Sequence, residues 1–181
     1  MKNINGKPNL KENISIFRLK NVDENDIELL REGIRGKTFL ITDLVKQGKI
    51  IEVKKQSNLI ANVGISVIAQ RLAGDDTYSL EINYGALGTG TTPPTSTDTT
   101  LETETYRFPV SSSAYDGNKA YIDFFVAQGD GTGNYTEFGN FIDGTGDVDT
   151  GILFSKVVVD WEKTASDSLF ISCEYTITTN N

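Results

Sequence analysis

Asp143, Asp147 and Asp149 are interspersed with glycine and threonine in the stretch Asp143-Gly144-Thr145-Gly146-Asp147-Val148-Asp149, which places three carboxylates in one flexible loop. Hard cations such as calcium take oxygen ligands from loops of this kind. Asp130 and Asn134 occupy a second glycine-rich loop. The spacing is not that of an EF-hand, and no glutamate stands where the twelfth ligand of such a loop belongs. A solvated turn is the favoured reading, with Asp143, Asp147 and Asp149 retained as candidate calcium ligands.

Other chemistry finds less support. The chain has no histidine, which removes the usual general base, the usual activator of a serine or cysteine nucleophile, and the commonest zinc ligand. Its single cysteine, Cys173, lies in an apolar alternation and reads as a small buried hydrophobe. Gly85-Ala86-Leu87-Gly88-Thr89-Gly90-Thr91-Thr92 has the glycine content of a phosphate loop. Thr91, however, stands where the phosphate-binding lysine is needed, and Pro93-Pro94 replaces the helix whose N-terminus would receive the anion. Glu102 and Glu104, two apart, have the residue types of a glycosidase acid pair, but neighbouring carboxylates are ordinarily solvated. The expectation is a protein that is not an enzyme, with no catalytic residue and no cofactor.

Charge narrows the partners. Seventeen Lys and Arg against twenty-five Asp and Glu give a formal charge of −8, unfavourable for wrapping a polyphosphate. The basic residues concentrate before Arg71, so the later part is strongly acidic. No run approaches the length of a membrane span, and Met1 to Gly6 lack the apolar core of a secretory signal. Neither nucleic acid nor membrane is an expected partner, and the chain is expected to be held in a cytoplasm before any assembly step.

The elements that must position these residues follow from periodicity. Residues 1–12 read as an arm, and Ile14, Ile16 and Phe17 as a short strand. Asp23 is a helix N-cap, with Ile27, Leu30 and Ile34 on one face and Gly33 and Gly36 ending the helix. Phe39–Val45 and Ile50–Val53, flanking Lys46-Gln47-Gly48-Lys49, predict a β-hairpin. Asn58 is placed to cap a second helix, whose stripe of Ile60, Val63, Val67, Ile68 and Leu72 ends before Gly74.

From Tyr78 the period changes to two. Tyr78, Leu80, Ile82 and Tyr84 predict one strand; Tyr106, Phe108 and Val110 predict another, with Pro109 favouring a sheet edge. Ala120 to Val126 is apolar on both faces, as a central strand is. Val157, Val159 and Trp161, then Leu169, Ile171, Cys173, Tyr175 and Ile177, alternate strictly with polar neighbours. Stretches 85–100, 129–134 and 143–151 cannot build a core and read as surface loops. The fold class expected is mainly β: an antiparallel β-sandwich with one packed helix and a smaller N-terminal α+β segment. The division expected is 1–57, a connector of arm, short helix and hairpin used for docking, and 58–181, the helix and sandwich.

The order of motifs adds a family likeness. Asn58-Leu59-Ile60-Ala61-Asn62-Val63-Gly64 opens a helix, and Ala86-Leu87-Gly88-Thr89-Gly90-Thr91-Thr92-Pro93-Pro94 follows it. Asp98-Thr99-Thr100-Leu101-Glu102-Thr103-Glu104 and then Glu137-Phe138-Gly139-Asn140-Phe141 complete the series, the last read as a turn. Across residues 58–178 this resembles bacteriophage virion structural proteins described as tail-fibre, baseplate or minor tail proteins. Asn140 stands where those proteins more often have an apolar residue. The resemblance implies a component of the virion, assembled in the host cytoplasm, with no catalytic residues to transfer.

Self-association into a homo-oligomer and docking to other virion structural proteins are then the expected work, since repeated particles use symmetric copies. A capsid decoration or head-fibre protein is the nearest alternative. A receptor- or glycan-binding module using Tyr115 and Tyr135 is a different one. Two local expectations follow from the same residues. Glu137, beside Phe138 and Phe141, calls for a partner such as Arg107. Gly88, Thr89, Gly90, Thr91 and Thr92 form a stretch suited to hydrogen-bonding a neighbouring subunit through its backbone.

Overall fold

Ten strands and three helices account for the alternating and helical patterns in the computed structural model, which describes residues 8–179. The elements in chain order are β1 (Pro8–Leu19), α1 (Glu24–Ile34), α2 (Thr38–Lys46), β2 (Ile50–Ser57), β3 (Leu59–Ile60), α3 (Asn62–Leu72), β4 (Ile82–Gly88), β5 (Glu104–Pro109), β6 (Ser112–Asp116), β7 (Lys119–Val126), β8 (Gly133–Ile142), β9 (Ile152–Lys163) and β10 (Ser168–Thr179). They form two five-stranded antiparallel sheets. The first has the order β2-β1-β10-β7-β6 and the second β3-β9-β8-β4-β5. The mainly β sandwich expected from the alternation is the fold observed.

Between the sheets lies the main core. The first sheet contributes Ile14, Ile16, Phe124, Leu169, Ile171, Cys173 and Tyr175; the second contributes Leu87, Phe108, Phe138, Ile142, Phe154, Val157, Val159 and Trp161. Phe124 meets Phe138 and Phe108 edge-on, and Phe138 lies against Trp161. Such pairs add about 0.5–1.5 kcal/mol each beyond the area they bury.

Both outer faces are partly covered as well. On the first sheet, α1 and α2 pack Ile27, Leu30 and Leu44 over Phe17, Leu19, Ile50 and Phe170. On the second, Leu101 and Ala61 cover Ala86, Phe141 and Leu153. α3 approaches β9 closely at Gly64, where a β-carbon would come within 2.9 Å of the Phe154 backbone.

Several boundaries differ from the sequence reading. The hairpin predicted around Lys46–Lys49 is instead α2 followed by β2. A short apolar run is ambiguous between helix and strand, and here burying Leu44 beside Leu30 and Ile50 settles it as helix. Asn58 does not cap α3: Leu59 and Ile60 pair with β9, and the helix begins at Asn62. The strand predicted from Tyr78 begins only at Ile82, because Leu80 has φ +67. The loop predicted from Gly85 is strand as far as Gly88. Glu137–Phe141, read as a turn, lies inside β8, an interior strand.

The division at 57/58 does not follow the sheets. β1 sits inside the first sheet, paired with β10 from Pro8↔Thr179 to Leu19↔Ser168, so the described part of 1–57 shares a sheet with 58–181. Residues 8–12, expected in an arm, are strand; residues 1–7 of that arm lie outside the described residues. Asp23 does cap α1, exchanging hydrogen bonds with Asp26 at 2.9 and 3.0 Å. Pro109 does lie on an edge strand.

Candidate functional site

β8 aims Glu137, Gly139 and Phe141 at the outer face of the second sheet, because alternate residues of a strand share a side. Each does a different job there. Glu137 is fully buried, and its carboxylate accepts from the amides of Gly90 (3.0 Å), Thr103 (2.7 Å) and Glu102 (2.9 Å). Lys156 of β9 completes the set with Nζ 3.2 Å away, itself buried and also 3.4 Å from Asp98. Gly139 leaves room for Leu101, whose Cδ2 would lie 2.9 Å from a β-carbon there. Phe141 carries the Arg107 guanidinium 4.3 Å above its ring.

The segment after β4 wraps around these groups. Glu102 turns its carboxylate back to accept the amides of Thr91 and Thr92, both at 2.8 Å, and these bonds hold its pKa below the usual carboxylate range. Thr89 donates its amide to the Thr103 carbonyl at 2.9 Å. Gly88 and Gly90 are required by space: a β-carbon at either would lie 2.5 Å from Glu137 Oε1. The amides of residues 89–92 are thus all engaged inside the chain. A backbone contact from Gly88–Thr92 to a neighbouring subunit would therefore not use these four amides as donors. Thr89, Thr91 and Thr92 are exposed.

Arg107 does not pair with Glu137. Its Nε and Nη2 meet Glu104 at 2.6 and 2.8 Å in a bidentate fork, and Nη1 reaches the Thr150 carbonyl at 2.8 Å. Glu104 lies three residues away on the same edge strand, whereas Glu137 is occupied by four donors already. The fork anchors the 143–151 loop, where Asp149 also donates its amide to Glu104.

That anchoring bears on the calcium candidates. Asp143 accepts from both the amide and the hydroxyl of Ser79, and Thr150 organises the turn around Thr145 and Asp147. Among the described residues no group of three or more Asp, Glu, Cys or His side chains converges to hold a metal ion, so Asp143, Asp147 and Asp149 are not brought together as ligands. Glu102 and Glu104, considered as an acid pair, are each engaged with different donors.

Sequence reasoning missed two groups. The first is Lys156, read as solvent-facing from its alternation with Val157 and buried because the 89–103 segment covers that face. The second is a polar cluster inside the sandwich. Asn140 Nδ2 lies 2.8 Å from Glu12 Oε1, 2.7 Å from the Tyr175 hydroxyl, 3.1 Å from Ser155 Oγ and 3.4 Å from Cys173 Sγ. An amide nitrogen has two hydrogens, so the two nearest oxygens take them. Burial pushes the Glu12 carboxyl up to about 7, with Ser155, Cys173, Tyr175 and Asn58 pulling the other way. The only signal for this cluster was Asn140 itself, polar in an otherwise apolar row.

Beside the wrapped segment, Thr89, Thr105, Tyr106, Thr132 and Asn134 line a shallow depression of about 460 Å³ without a charged side chain. Tyr135 borders it, but that ring is buried and its hydroxyl donates to the Gly131 carbonyl at 2.7 Å. Tyr115 on β6 is 85% exposed. No described helix is long and apolar enough to cross a membrane. No protein-family model, curated protein or solved structure matches the chain.

Proposed function

We propose that this chain is a non-enzymatic structural protein of a bacteriophage virion, a tail, baseplate, fibre-attachment or neck component that works by self-association and by docking to neighbouring virion proteins. The observation that carries the reading is a convergence. Three of the four motifs on which the family resemblance rests, Ala86–Pro94, Asp98–Glu104 and Glu137–Phe141, meet at the outer face of the second sheet and lock one another. Carboxylates that an enzyme would present to a substrate hold backbone amides and a buried lysine here. A pattern kept together by mutual support, with its acids engaged inside the chain, is what a rigid building block needs.

Proteomic and immunogold analysis of purified particles of the phage encoding the chain tests this. The protein is expected as a stoichiometric component of the particle, at tail or neck. Recovery only in the soluble lysate would overturn the reading. Labelling of the head surface would move it to capsid decoration.

One observation favours a second reading, a glycan-binding module. The uncharged depression around Thr89, Tyr106 and Asn134, with hydroxyl and amide groups beside an aromatic ring, has the composition of a saccharide subsite. Tyr135 is not available for stacking in it, and Tyr115 lies on a different sheet. A glycan array probed with the full chain separates this reading from the first.

A further inference from the structure

We infer that the chain forms a two-fold symmetric dimer through its β2 edge, with Val53 opposite Val53 of a second copy. The inference rests on the self-association part of the reading above and names its partner and contact. β2 is the last strand of the first sheet, hydrogen-bonded to β1 on one side only. A strand edge of this kind is a template for another strand unless something blunts it.

Antiparallel geometry restricts how β2 can meet itself. Residues directly opposite each other are either both hydrogen-bonded across the pair or both not. Along one strand these two classes alternate, so a strand pairing with its own copy can oppose only residues of the same parity. Centring the two-fold on Glu52 sets carboxylate against carboxylate, and centring it on Lys54 or Lys55 sets ammonium against ammonium. Centring it on Val53 places Glu52 opposite Lys54, and Lys54 opposite Glu52, with two valines between them. Of the registers centred on residues 52 to 55, this one alone sets opposite charges face to face, adding a cross-strand partner to the pairs that Glu52 makes within the chain with Arg18 at 3.5 Å and Lys54 at 3.4 Å; Lys55 is left facing Ile51. Opposite charges facing each other across strands are favourable and like charges are not. The bulge that ends the regular β1–β2 ladder at Ile51 lies outside this central triplet.

Exposed apolar side chains lie along and beside this edge, among the charged Glu52, Lys54 and Lys55. Ile51 and Val53 are exposed on β2, and Phe39 and Val45 on the adjacent α2; Phe39 is 62% accessible. Thr38 and Ile41 of α2 share with Val53 and Lys55, and with Ser172 and Glu174 two strands away, the lining of a groove of about 680 Å³. Burying apolar side chains there supplies association that three strand pairs alone do not.

Cysteine trapping tests the register on the full chain. Paired α-carbons across an antiparallel ladder lie about 4.5 or 5.5 Å apart, inside the range a disulfide spans. Val53→Cys is therefore expected to give a disulfide-linked dimer under mild oxidation, while Lys55→Cys, which faces Ile51 of the partner, is not. Cys173 is buried and does not compete. Sedimentation from micromolar to hundreds of micromolar should show a monomer–dimer equilibrium. Glu52→Lys is expected to weaken it on the order of tenfold, and Glu52→Lys with Lys54→Glu to restore it. Melting curves of each variant separate loss of association from loss of folding. A monomer at every concentration, or crosslinking through Lys55→Cys in place of Val53→Cys, overturns the inference. Neither result touches the presence of the protein in virions, which the particle analysis reads independently.

Discussion

Glu137 Oε2 lies 3.2 Å from Lys156 Nζ, and both side chains are buried beneath the 89–103 segment. The carboxylate is also the shared acceptor for three backbone amides of that segment, so one side chain ties two strands and a loop together. Removing one partner of a buried pair leaves the other uncompensated, at a cost of about 3–5 kcal/mol. Glu137→Ala is therefore expected to lower unfolding free energy by roughly that amount and to open 89–103 to proteolysis, as read by denaturant titration and limited digestion. Glu137→Gln, which still accepts amides, should fall between.

Gly90 tests the same clamp from the loop side. A β-carbon there meets Glu137 Oε1 at 2.5 Å, and the neighbouring Glu102 side chain crowds it too. Gly90→Ala is expected to destabilise by about 1–3 kcal/mol, the usual range for overpacking. Gly117, with φ +57 and nothing near it, is the contrasting site: Gly117→Ala is strained by its backbone alone and leaves the protease pattern of 89–103 unchanged.

Arg107→Ala is expected to destabilise the fold, through Glu104 and the 143–151 loop and not through Glu137. Arg107 and Glu104 are nearly inaccessible, so the change strands a buried carboxylate and is expected to cost about 3–5 kcal/mol. Arg107→Lys should rescue little, since a single ammonium cannot reproduce the fork to Glu104 together with the bond to Thr150. Hydrogen exchange should show the loss at 143–151 first.

Glu12 makes stability depend on pH in the reverse of the usual carboxylate sense. Burial raises its folded-state pKa to about 7, above the ordinary value of 4.5. Its contribution is fully present below the unfolded value and is lost as pH rises through the folded one, because the unfolded chain releases the proton first. Between those pH values the loss amounts to roughly 3 kcal/mol, at about 1.4 kcal/mol per unit. Glu12→Gln removes the titration. The melting temperature of the parent should fall relative to that variant between pH 5 and pH 8, and parallel curves would refute the assignment.

The alternation of Leu169, Ile171, Cys173 and Tyr175, and of Val157, Val159 and Trp161, was legible because facing one way along a strand is a local property that burial imprints on every second residue. The same holds for the cap at Asp23 and the edge position of Pro109. Phe39–Val45 was not legible: its apolar run suits a helix or a strand equally, and Leu30 and Ile50, brought to Leu44 from elsewhere in the chain, decide between them.

By itself, then, the amino-acid order determined the fold class, the inward face of the long strands and the absence of a histidine-based centre. The tertiary structure alone decided which charge meets which. Lys156 looks solvent-facing within its own strand, Glu137 reads as an acid in a turn calling for Arg107, and Glu12 looks like part of a polar tail. They become interior because the 89–103 segment closes over one sheet and β1 inserts into the other. A carboxylate's partner depends on which chain segments exclude water around it, and that exclusion is a property of distant segments packed together.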